Sequence, residues 1–122
     1  MKASEKGREG EDLAAAHLAK NRYKILERNF RARHGEIDII AKHKGVLVFV
    51  EVKMRASGSF GGPADAVNRA KQRKISMAAL EYLSRTKQTK ARARFDVVCV
   101  KTGENGAPRV EIIRNAFRLA YP

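Results

Sequence analysis

The 122-residue chain has no tryptophan, a single cysteine and half as many acidic residues as basic ones. A lone thiol, Cys99, forms no internal disulfide, which fits a reducing compartment. It stands in the apolar run Val97-Val98-Cys99-Val100, where a packed core thiol is the first expectation. With that one cysteine and the scattered His17, His34 and His43, zinc-ligand spacing is missing. Aromatic residues make up 7% of the chain, too few for base stacking to dominate nucleic-acid binding. No run approaches the ~20 apolar residues of a membrane span. The first residues are polar and charged, without an apolar stretch of signal-peptide length. These absences set the expectation of a cytoplasmic protein that avoids membranes. The length points to one domain over residues 1–122, since two would each be too small for a good core.

The hydrophobic content, 43%, is that of a globular protein, but the charge is unusual. Twenty-six Lys and Arg against 13 Asp and Glu give +13. Such an excess attracts polyanions, chiefly nucleic acid and less often acidic membranes, and it serves binders and enzymes alike. The stretch from Arg69 to Arg94 is dense in Lys and Arg, with Glu81 its lone acid. Phosphate contact is the expectation there, with duplex or branched DNA gripped through its backbone.

The element order reads α, three strands, α, two strands. Ser4 is placed to cap a first helix running to about Lys20. Strands follow at Tyr23–Arg31, with Tyr23, Ile25 and Glu27 on one side, then at Glu36–Lys42 and at Val46–Lys53. Gly58-Ser59-Phe60-Gly61-Gly62 forms a loop, suited to close approach to a backbone or to simple connection. Pro63 suits the start of a helix running to about Ser84. Arg85–Arg94 reads as an exposed extension, Phe95–Lys101 as a fourth strand, Gly103–Pro108 as a turn and Arg109–Ile113 as a fifth strand. Asn115–Leu119 is expected to be a short helix. A mixed α/β sheet flanked by helices is the natural packing.

Chemistry concentrates in the second and third strands. A two-residue turn at Lys44-Gly45 pairs His43 with Val46. Counting outward sets Asp38 opposite Glu51 and Glu36 opposite Lys53, with Cβ atoms about 4.5–5.5 Å apart. Alternation puts Glu36, Asp38 and Ile40 on one face and Ile37 and Ile39 on the other. A one-residue slip would divide the charges between faces. Two opposed carboxylates repel and need compensation, which a hard divalent cation supplies through oxygen ligands. A neighbouring lysine can stabilise charge developing on a phosphate. The plainer alternative is an ordinary Glu36–Lys53 ion pair beside a solvated Asp38.

Glu11 shares a helix face with Ala14, Ala15 and Leu18, and so sits at the rim of an apolar stripe. By spacing alone it either joins the strand carboxylates or complements the helix dipole with Glu5, Glu9 and Asp12. Lys71 interrupts the stripe Val67, Ile75, Ala78, Tyr82 of the second helix. It either reaches a phosphate or snorkels to solvent, with solvent favoured.

Several segments carry a family resemblance: Gly10-Glu11; Asn29-Phe30-Arg31; Gly35-Glu36-Ile37-Asp38-Ile39-Ile40-Ala41; Val48-Phe49-Val50-Glu51-Val52-Lys53-Met54-Arg55. It continues through Phe60-Gly61, Lys71-Gln72 and Tyr82-Leu83. Together they resemble the YraN-like family of predicted bacterial endonucleases. That family is similar to archaeal Holliday junction resolvases, of restriction-endonuclease-like fold. The resemblance implies a mixed five-stranded sheet flanked by helices, in the order αβββαββ. It implies Asp38, Glu51 and Glu11 as ligands of Mg²⁺ or Mn²⁺, Lys53 beside the attacking water and Glu36 as a supporting partner of Lys53. DNA is the implied partner, with Arg55, Lys71, Arg73 and Lys74 meeting its backbone. A symmetric cut of a junction needs two sites, which makes a homodimer attractive.

Overall fold

The computed structural model describes residues 2–56, 67–102 and 106–120. Its elements are α1 (Lys2–Lys20), β1 (Lys24–Arg31), β2 (Glu36–His43), β3 (Val46–Ala56), α2 (Arg69–Arg85), β4 (Ala93–Thr102) and β5 (Pro108–Phe117). The order is the expected αβββαββ. The strands form one open mixed sheet in sequence order. β3 and β4 are parallel and every other pair is antiparallel. A parallel pair needs a long crossover, and the segment holding α2 supplies it.

The two helices cover opposite faces. Ala14 and Leu18 of α1 pack with Ile39, Ala41, Val48, Val50, Val98 and Val100. Ile75, Ala78, Ala79 and Tyr82 of α2 pack with Phe30, Ile37, Ile40, Phe49, Phe95, Val97 and Cys99. The central strands are therefore buried on both sides, which explains their continuous apolar runs. Cys99 is a free core thiol, as expected, and burial pushes its pKa up. No helix among the described residues is long and apolar enough to cross a membrane.

Several local expectations need correction. Ser4 lies inside α1, which begins at Lys2, so it is no cap. α2 begins at Arg69, where the Asn68 side chain accepts from the Lys71 N–H at 2.8 Å. That is the usual work of an N-cap asparagine. The expected helix start at Pro63 and the glycine loop lie outside the described residues, as does the first half of the expected turn at 103–108. β4 already includes Arg94, so the basic extension is shorter than expected. Asn115–Leu119 is not a helix: β5 continues to Phe117, whose ring stacks on Phe95 at 4.8 Å. Pairing with β4 overrides the local pattern there. In β1 a bulge between Ile25 and Glu27 moves Glu27 off the face that Tyr23 and Ile25 share, towards Tyr82.

The hairpin turn is where the sequence puts it. Lys44 and Gly45 both have positive φ, and His43 pairs with Val46. The register holds through Ile40–Phe49 and Ile39–Val50, and there the β2–β3 ladder stops. Asn29, facing this point from β1, has φ 55°. On either side of it the sheet reverses its faces. Ile39 joins the α1 core while Ile37 joins the α2 core. Simple alternation would have kept the two isoleucines together. Glu36, Asp38 and Ile40 therefore do not share one face as expected. Asp38 sits at the twist itself.

Candidate active site

Because the ladder ends early, Asp38 does not pair with Glu51 across a regular hairpin, nor Glu36 with Lys53. Instead an Asp38 carboxylate oxygen, Oδ2, accepts from the Val52 N–H at 2.8 Å. This bond takes the place of a ladder hydrogen bond and fixes the carboxylate against β3. Its neighbour there is Glu51, which is buried at 9% exposure. Burial raises the Glu51 pKa to about 8, helped by the Asp38 charge and a hydrogen bond with the Asp38 carboxyl. The convergence of Asp38 and Glu51 thus survives, through a different local geometry from the one counted along the strands.

Lys71 is the unexpected member. Its Nζ lies 3.5 Å from Glu51 Oε2 and lowers the Glu51 pKa in part. The lysine, in the first turn of α2, is exposed as the sequence favours, but it also sets its ammonium group against Glu51, a partner the sequence did not supply. A buried carboxylate is the physical reason, since it attracts any ammonium group within reach.

Glu11 is also buried, on the α1 face of the sheet. Its Oε1 accepts from Arg28 Nε and from Asn29 Nδ2, both at 3.0 Å. Arg28 also pairs with Asp12 at 2.6 Å. The left-handed turn at Asn29 lets these neighbouring side chains reach the same carboxylate. Glu11, Glu36 and Asp38 line one cavity of about 500 Å³ with Gly7, Arg8, Asn29, Arg31, Val52 and Met54. Glu51 and Lys53 do not line it. Among the described residues no three acidic, histidine or cysteine side chains converge closely enough to cage a metal. Asp38 and Glu51 are the carboxyls that approach each other, while Glu11 lines with Asp38 a cavity that Glu51, beside Lys71 on the α2 side, does not reach.

Lys53 is exposed on β3, two residues beyond Glu51, and makes no ion pair with Glu36 or any other described acid. Glu36 pairs in register with Arg31 of β1 and opens onto the cavity, so the expected support of Lys53 is not made. Arg55 is half-buried further along β3. Arg73 and Lys74 border a shallow groove on α2 with His34 and Met77. The partners of Glu11 escaped the sequence reading, although Asn29 stood in a segment that carries the resemblance.

Residues 10–100 match the model of a family described as uncharacterised protein family UPF0102, and the chain belongs to it. A UPF0102 protein of Geobacter metallireducens is 54% identical over 115 residues, 94% of this chain and 93% of that protein. One from Desulfosudis oleivorans is 54% identical over 111 residues, 91% and 88% of the two chains. One from Rhodococcus opacus is 45% identical over 111 residues, 91% and 94% of the two chains.

Proposed function

We propose that the protein is an endonuclease dependent on Mg²⁺ or Mn²⁺ that hydrolyses phosphodiester bonds in DNA, branched or junction DNA being the favoured class. One observation carries the reading: Asp38 and a buried Glu51 share one point of the sheet, with Glu51 held far above the ordinary carboxylate range. Two carboxyls crowded together in this way are costly until a cation sits between them. Mg²⁺ is commonly held by one or two carboxylates, with water and phosphate completing its shell. Asp38 and Glu51 would hold it, with Glu11 joining from the cavity that it lines with Asp38. When bound, such an ion polarises a phosphoryl oxygen and acidifies a water.

The remaining work belongs to the chain. The Val52 N–H and the pair Arg28 and Asn29 fix Asp38 and Glu11 in place. Lys53 offers an exposed ammonium beside the pair, suited to charge building on the phosphate. Arg55, Lys71, Arg73 and Lys74 supply backbone contacts, which position the nucleic acid without reading its sequence. The element order, with Asp38 near the start of β2 and Glu51-Val52-Lys53 on β3, supports kinship with the resolvases and the restriction-endonuclease-like fold. A homodimer would place two such sites on one junction.

A second reading is a nucleic-acid-binding module that keeps the fold without cutting. It is favoured by Lys71, whose ammonium group already occupies the place beside Glu51, and by Glu11 being engaged with Arg28. Incubating branched, nicked and linear DNA with Mg²⁺ or Mn²⁺ separates the two. Wild type should cut at least one substrate, while Asp38→Ala and Lys53→Ala should bind but not cut. Binding without cutting by the wild type on every substrate would establish the second reading instead.

A further inference from the structure

On β4, in register with Val50 and on the α1 face of the sheet, stands another polar cluster, built on a fully buried carboxylate. Asp96 has 0% exposure. It accepts from Tyr23 Oη at 2.7 Å, from Arg94 Nε at 3.0 Å and Nη2 at 3.2 Å, and from the Asn115 N–H at 2.9 Å. Those donors fill its acceptor sites, and the Arg94 charge balances its own. Arg94 Nη2 also lies 2.8 Å from His43 Nδ1 and 3.0 Å from Tyr23 Oη. A guanidinium cannot accept, so Nδ1 is the acceptor. Burial and the charges of Arg94, Arg114 and Lys44 agree, holding the His43 pKa below its ordinary value.

This cluster holds more positive charge than Asp96 needs. Arg114 gives only Nε, at 3.0 Å, to Tyr23 Oη, and its guanidinium lies 5.8 Å from the Tyr23 ring centre. It reaches that place because β5 bulges opposite Asp96. Phe95 pairs with Phe117 but Val97 with Ile113, and Asn115 takes φ 53° to make the detour. Bulges of this kind re-aim side chains. Arg92, Arg94 and Arg114 then line a cavity of about 340 Å³ with Val46, Ala93 and Asn115. The Nη atoms of Arg114 and the guanidinium of Arg92 have no partner among the described residues.

We propose that this cradle is a phosphoryl-binding site. Two exposed guanidinium groups with spare donors flank a third that is locked in orientation, and Asp96, the nearby carboxylate among the described residues, is sealed beneath them. Arginine forks match phosphate oxygens in pairs, so the arrangement suits a phosphate group better than a halide or a lone carboxylate. The group belongs either to a nucleic-acid backbone or to a small phosphorylated molecule. Along β3, five steps separate Val46, which lines the cradle beside Arg92, from Glu51, about 17 Å at strand rise. A phosphate held here therefore lies well away from the carboxylate pair, and its binding does not depend on cleavage.

The test uses the full chain in EDTA, so that nothing is cut. Inorganic phosphate is titrated while the Arg114 Nε–H and Asn115 N–H resonances are followed. The affinity of a short duplex is measured in parallel as a function of salt. Arg92→Gln and Arg114→Gln spare the Asp96 cluster's main donors, and circular dichroism confirms that each variant folds. Phosphate should shift both resonances in wild type; both shifts should shrink in Arg92→Gln, and that of the Asn115 N–H should shrink in Arg114→Gln. If the ligand is a nucleic-acid backbone, the log–log salt slope falls by about 1 per arginine removed. If phosphate binds and the slope is unchanged, the ligand is a small phosphorylated molecule. Unmoved resonances together with an unchanged slope overturn the proposal and leave the Asp38–Glu51 reading as it was.

Discussion

Replacing Glu51 by glutamine should make the protein more stable at neutral pH, although it removes a charge from an ion pair. The folded Glu51 pKa is raised from 4.5 to about 8, first by burial and then by Asp38. Between those values the unfolded chain has lost the proton and the folded chain still holds it. Stability therefore falls as pH rises from about 4.5 to 8 and levels off on either side. At about 1.4 kcal/mol per pH unit, the loss is roughly 3 kcal/mol by pH 7 and roughly 5 above pH 8. The lowering by Lys71 is already contained in that value, and it is small because the lysine side chain is 45% exposed and such pairs contribute about 0–1 kcal/mol. Glu51→Gln should thus gain about 2 kcal/mol at pH 7, or several degrees in Tm. Urea unfolding in EDTA across this pH range should show a falling profile for wild type and a flatter one for the variant. Adding Mg²⁺ should stabilise wild type increasingly above pH 7, because the ion competes with the proton, and should leave the variant unmoved. A flat wild-type profile in EDTA, or a variant less stable than wild type at pH 8, would refute the reasoning.

Two other perturbations test the frame around the site. A methyl group on Gly35 would come within 2.6 Å of the Lys74 carbonyl oxygen of α2, so Gly35→Ala should cost about 1–3 kcal/mol by urea unfolding. Gly10→Ala should cost less, because its new methyl meets the flexible end of Met54 rather than backbone. Asp96→Asn should cost about 3–5 kcal/mol, since it leaves the Arg94 guanidinium largely buried without its counter-charge. A thermal midpoint equal to that of wild type would show that the Asp96 cluster contributes nothing to stability.

How much of this was legible in the sequence depended on how local the cause was. The Lys44-Gly45 turn fixed the hairpin register, because turn chemistry and apolar alternation act over a few residues. Helix and strand order followed from the same periodicities. The twist at Asn29 and Asp38 was not legible. It depends on pairing between β1 and β2 and on which core each isoleucine joins, both non-local facts. Regular alternation therefore brought Asp38 to the right neighbour by the wrong path. Lys71 illustrates the same limit: a lysine on an apolar helix stripe looks only solvent-bound until the carboxylate beneath it is known. Asp96 did leave a signal, a carboxylate at the head of an otherwise apolar strand run, but beyond Arg94 on its own strand its partners, Tyr23 and Asn115, come from two distant segments.

The two carboxylate clusters obey opposite electrostatic rules, and the contrast bears on which of them is built for an ion. In the Asp96 cluster every acceptor of the buried carboxylate is filled by donors from the chain, and its charge is matched by Arg94. A cation placed there would have to displace an arginine. In the Asp38 cluster two carboxyls crowd one another, and their nearest ammonium group is half in solvent at 3.5 Å. A cation placed there would relieve repulsion and replace only a weak pair. Asp38→Asn should accordingly lower the Glu51 pKa, shrink the pH-dependent loss of stability and weaken Mg²⁺ binding together, because one interaction underlies all three. If Mg²⁺ stabilised Asp38→Asn as strongly as wild type, the ion would be held elsewhere and the carboxyl pair would lose its proposed role.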